Sequence, residues 1–274
     1  MSLSREVKSF FKTILLLILC IIACITGLIL YGRYKSSLPV PLTKEEIMAQ
    51  IIVEAALTDE DVQTLINSYM PENAENSNLN VPTSHEISME IILQNPELPA
   101  GCEVTSLAML LTHLGLPADK CVLSDSYLPK GEAGKVSMNE YFIGNPREKG
   151  SYGCYAPVIA GCAASYIADT NAGLKVYNLT GTSLSSLFAL IADDKPVMVW
   201  TTINLLESFP TVTWEINGKT VTWYSQEHCV VLTGYNYDTN TVTVADPLYG
   251  TREYDMMLFT ERYNQMFKQA ICIY

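Results

Sequence analysis

The sequence predicts an α+β domain placed behind an N-terminal apolar segment. Three observations carry that expectation. A helix pattern opens at Cys102 and closes at Gly115, strand-forming runs dominate after residue 195, and Asn217-Gly218 separates two stretches rich in Thr, Val and Trp. The 274 residues suffice for one ordinary domain with extensions. A chain that is 49% hydrophobic and 17% charged is not disordered, and 17 basic against 29 acidic residues argues against nucleic acid as a partner.

The charge is unevenly distributed. Residues 1–12 form a short basic tail with Arg5, Lys8 and Lys12, whereas the 239 residues after Lys35 carry a net charge of −16. From Thr13 to Tyr31 no charged residue occurs over 19 positions, which as a helix span about 28 Å, the thickness of a bilayer's hydrocarbon core. No A-x-A-like cleavage site follows, so 13–31 is expected to be an uncleaved single-pass transmembrane anchor rather than a signal peptide. A lipobox-like Ile21-Ile22-Ala23-Cys24 is the competing reading, but cleavage there would leave an apolar segment on the mature end. Lys and Arg balance across the segment, so the positive-inside rule assigns no orientation.

Residues 32–85 read as a stalk and linker with short helices. Thr43 and Glu46 make a capping box, Thr58 starts a second short helix, and 71–82 is rich in Asn and Pro. The packed domain is expected over 86–274. It should open with a strand in which Ile87, Met89, Ile91 and Leu93 alternate with other residues. A loop punctuated by Pro96, Pro99 and Gly101 leads to the helix CEVTSLAMLLTHL, stopped by Gly115 and Pro117. Further helices are expected from about Pro157 and after Ser183. Strands follow at 196–203, in the hairpin 211–224, and in the pair 228–235 and 241–247. A helix near 261–268 and a strand over 270–274 close the chain.

Candidate chemistry follows by elimination among three histidines. His113 lies on the Cys102 helix about 16 Å along its axis, too far to serve that thiol, and His85 falls at the linker boundary. His228 starts a strand after the turn-like Ser225-Gln226-Glu227. Cys102 begins a helix, where free N–H groups and the helix dipole favour a thiolate; the competing reading is a small packed residue. A turn near residue 237 would set Asp246 opposite His228, to fix the imidazole's tautomer, although Asp246-Pro247 also fits a simple turn. The Gln94 amide and the Cys102 N–H could meet an oxyanion if the loop between them folds back.

The segments LQNPELPAGCEVTSLAMLLTHLG, EHCVVLTGYN and VTVADPLYG resemble the C39-like group of papain-type cysteine peptidases, over about 86–274. The resemblance implies Cys102 as nucleophile, His228 as general base and acid, Asp246 as its orienter, and Gln94 with Cys102 in the oxyanion hole. It implies a papain-like fold, with a helical lobe whose cysteine helix packs on an antiparallel sheet. It also implies a peptide or protein substrate and a domain outside a bacterial cell membrane. Two other functions share these residues: a catalytically silent domain that binds a peptide, and an acyl or amide transferase. No phosphate loop, dinucleotide turn or CxxC occurs, so neither nucleotide, other cofactor nor structural metal is expected.

Overall fold

In the computed structural model, residues 82–274 are described. The basic tail, the transmembrane anchor and the stalk up to residue 81 lie outside them. Among the described residues no helix is long and apolar enough to cross a membrane.

The main elements, in chain order, are β1 (Ser84–Glu86), α1 (Cys102–His113), α2 (Ala156–Thr170), β2 (Val176–Asn178), α3 (Leu184–Ile191), β3 (Val197–Thr202), β4 (Pro210–Ile216), β5 (Lys219–Tyr224), β6 (Glu227–Asn236), β7 (Thr241–Asp246), β8 (Gly250–Asp255), α4 (Met256–Gln265) and β9 (Ala270–Ile273). A seven-stranded sheet runs β8-β7-β6-β3-β9-β2, with β1 added to β6, and every ladder in it is antiparallel. Strand β6 shares one edge between two partners, β3 along Glu227–Leu232 and β1 along Gly234–Asn236.

The period of two along the strands divides the core. Met198, Trp200, Cys229 and Val231 pack under α1 and α2, whereas Val197, Val199, Val230 and Leu232 pack under α3 and α4. Helices therefore cover both faces, and this is why β3 is buried along its whole length. The Asn217-Gly218 hairpin forms as expected, with φ of 50° and 75° at its two turn residues, but stands as its own two-stranded sheet.

Three expectations are corrected. Residues 87–91 alternate in exposure, with Ile92 half-buried and Leu93 exposed, yet form no ladder; the strand lies earlier, at Ser84–Glu86, and one further bond from the Ile87 N–H to the Thr233 carbonyl (2.7 Å) ends the pairing. His85 accordingly sits in that strand and bonds Asp194 at 2.8 Å. The last helix starts five residues before Glu261, because Asp255 caps it by accepting from the Leu258 N–H, and it ends before the left-handed Phe267 and Lys268. The polar strand Gly250–Asp255 has no apolar alternation and was not expected.

The third correction concerns the β6–β7 register. Tyr235 pairs with Val242, but after an irregularity at Thr233 the pairs become Leu232 with Val244 and Val231 with Ala245. Asp246 thus falls beside Val230, two residues from His228, on the same face. Without the bulge Asp246 would face Val231 and point away from His228. One extra residue re-aims the side chains.

Trp200 is fully buried and its indole N–H donates to the Cys154 carbonyl at 2.9 Å. Trp200→Ala should lower the unfolding free energy by about 3–5 kcal/mol in denaturant melts, whereas Val212→Ala on the exposed hairpin should change it by less than about 0.5 kcal/mol.

Candidate active site

Cys102 is placed by a tight approach. Gly101 precedes it, and a Cβ there would lie 2.7 Å from the Leu98 Cβ, so the loop can enter the helix this closely only through glycine. One turn on, the Ser106 hydroxyl donates to the Cys229 carbonyl at 3.0 Å, tying α1 to the residue after His228. Cys102 is 7% exposed.

His228 and Asp246 are both buried, and the ring Nε2 lies 2.9 Å from Asp246 Oδ1. The same oxygen accepts from the Leu248 N–H at 2.7 Å, so the Asp-Pro turn and the imidazole contact are built on one atom. Burial pushes the Asp246 carboxyl up, but the His228 hydrogen bond and charge, with help from the Leu248 and Tyr249 N–H groups, outweigh it and hold the group below its ordinary range. An ionised carboxylate only accepts, so Nε2 carries the proton and Nδ1 is left as the ring's basic nitrogen.

The loop from Gln94 to Gly101 does fold back. The Gln94 N–H donates to the Pro247 carbonyl at 2.8 Å, fastening the loop beside Asp246. Its side-chain amide donates to the Pro99 carbonyl at 3.0 Å, which leaves the second amide proton free to serve another acceptor. Gln94, Cys102 and His228 line one groove of about 300 Å³, with Tyr152, Trp223 and Glu227. Asp246 stands behind His228.

The electrostatics differ from the expected helix-start thiolate. Among the described residues the sulfur's hydrogen bond goes to Glu103 Oε2, at 3.4 Å, not to His228. Burial, then the Glu103 and Glu227 carboxyls, push the Cys102 thiol well above its usual range. Sequence reasoning passed over both acids. Glu103 reads as an ordinary first-turn acid, and Glu227 as part of a turn. Glu227 in fact opens β6, and its alternation with Cys229 and Val231 was the available signal. All six cysteines among the described residues are unbridged. His113 is exposed at the end of α1.

Two measurements follow. Cys102, held well above its usual range first by burial, should alkylate more slowly with iodoacetamide at neutral pH than a free cysteine. Asp246 contributes stability that is fully present above its ordinary value of 3.8 and is lost as pH falls through its lower folded value. Asp246→Asn should therefore cost about 1–3 kcal/mol at neutral pH and flatten the acid limb of urea-melt stability below about pH 4.

A profile of the Peptidase_C39 like family matches residues 86–271. The uncharacterized protein YvpB of Bacillus subtilis is 29% identical over 260 residues, covering 93% of this chain and 97% of YvpB. A solved structure described as a C39-like peptidase from Bacillus anthracis superposes with a TM-score of 0.62 at 32% identity, over 70% of this chain and 97% of that one. The mixed α/β fold is that of a C39-like peptidase, and the chain belongs to the Peptidase_C39 like family.

Proposed function

We propose that this protein is a thiol peptidase that hydrolyses peptide bonds through an acyl-enzyme on Cys102. The observation that carries the proposal is the single groove in which Cys102, at the head of α1, and His228, held by Asp246, both present their side chains with Gln94. The Cys102 proton passes to His228 Nδ1 as the sulfur attacks the substrate carbonyl. Because the thiol is pushed up, this transfer accompanies attack on a bound substrate instead of preceding it. The Cys102 N–H and the Gln94 amide would receive the oxyanion. His228 then protonates the departing amine, and water, deprotonated by His228, releases the acid product.

The 19 uncharged residues of 13–31 support a single-pass membrane anchor, and the family resemblance supports a domain on the outer side of a bacterial membrane. The thiol's bond to Glu103 favours a second reading, a domain that holds a peptide without cutting it.

Incubation of the full chain with a peptide mixture, read by mass spectrometry, separates them. Cys102→Ala and His228→Ala should reduce cleavage to background. Gln94→Ala should lower kcat by about 10²–10³, and Asp246→Asn by up to about 10⁴. Cleavage by Cys102→Ala at the parent rate would overturn the peptidase reading, and peptide retention without turnover by the parent chain would establish the second.

A further inference from the structure

Behind the Cys102 sulfur the fold packs two carboxyl groups together. Glu103 is 0% and Glu227 8% exposed, and among the described residues neither forms an ion pair with a Lys, Arg or His. One donor atom from each of Cys102, Glu103 and Glu227 can be chosen so that all three lie within 4.8 Å of one another. Glu103 uses Oε1 to accept from the Cys154 N–H at 2.8 Å and Oε2 to accept from the thiol. Glu227 Oε1 is buried without a hydrogen-bond partner among the described residues. Such an atom costs stability unless something meets it. Gly153 packs against the cluster: a Cβ there would lie 2.7 Å from Glu103 Oε1 and 3.0 Å from Glu227 Oε2, so glycine is what lets both carboxyls sit this close to the chain.

These features have the chemistry of a cation site. Zinc–sulfur and zinc–oxygen bonds of about 2.3 and 2.0 Å at a tetrahedral angle set the two donors about 3.5 Å apart. The Cys102 Sγ to Glu103 Oε2 distance is 3.4 Å. Calcium and magnesium take oxygen alone, whereas one sulfur with two carboxylate oxygens suits a borderline ion. We propose that Cys102, Glu103 and Glu227 form a binding site for one divalent cation of the zinc class, entered from the groove that Cys102 and Glu227 line. Binding exchanges the thiol proton, and any proton held by the carboxyls, for the metal; no electron moves. The fourth position faces the groove and takes water. A metal-bound sulfur does not attack a carbonyl, so occupation switches turnover off. That consequence rests on the peptidase reading, whereas the ion site rests on the three side chains.

The test is titration of the chelator-treated full chain with cadmium, read by the ultraviolet sulfur-to-cadmium charge-transfer band, followed by displacement with zinc. One equivalent should saturate the band, and Cys102→Ser should abolish it. Glu227→Gln and Glu103→Gln keep side-chain volume, and each should weaken binding at least about tenfold while leaving the circular dichroism spectrum unchanged; either one that folds suffices. A band that persists in Cys102→Ser, or cadmium affinity unchanged in a folded Gln variant, overturns the site. The two readings fail separately. A chain that cleaves no peptide in chelator but binds cadmium through Cys102 and Glu227 keeps the ion site and loses the peptidase. A chain that cleaves peptides but whose cadmium affinity ignores both glutamates does the reverse.

Discussion

One carboxylate oxygen sets the geometry of the groove. Asp246 Oδ1 receives both the His228 imidazole and the Leu248 N–H, and the Pro247 carbonyl between them receives the N–H of Gln94. Three chain segments remote in sequence are thus tied within two residues of one strand end. Both donors meet on Oδ1, while Oδ2 is buried without a hydrogen-bond partner among the described residues. The hydrogen bonds keep the carboxylate ionised against its burial, and the imidazole tautomer follows from that charge state.

Cys102 lives under an opposing influence. The head of α1 offers unpaired N–H groups that favour a thiolate, yet the first turn of the same helix supplies Glu103 and the facing strand supplies Glu227. Burial weighs first against the thiolate and the two carboxyls add to it, while the same burial raises their own pKa values, that of Glu103 to about 7. The sulfur is consequently a resting thiol, and anything that neutralises the acid pair alters its readiness to react.

What could be read from the residues was local. The helix from Cys102, the Asn217-Gly218 hairpin and the apolar run of β3 each carry their own signal in cap, turn or periodicity. The pairing of His228 with Asp246 was anticipated as a direct opposition, but it depends on the bulge at Thr233, whose stagger no local pattern announces. Strand β8 was missed because an edge strand with exposed polar residues shows no alternation. Glu103 and Glu227 were missed for a related reason. Glu103 is unremarkable within its own segment and Glu227 carries only its alternation with Cys229 and Val231, so the meaning of the pair arises when α1 is laid against β6.

The two partners that share one edge of β6 separate attachment from chemistry. The described chain enters through β1, with Ser84 beside Asn236, eight positions from His228. At about 3.3 Å per residue, the imidazole and the point of entry stand about 26 Å apart along one strand. Chain entry and imidazole therefore occupy opposite ends of one strand, so a change at the β1–β6 pairing is remote from the groove.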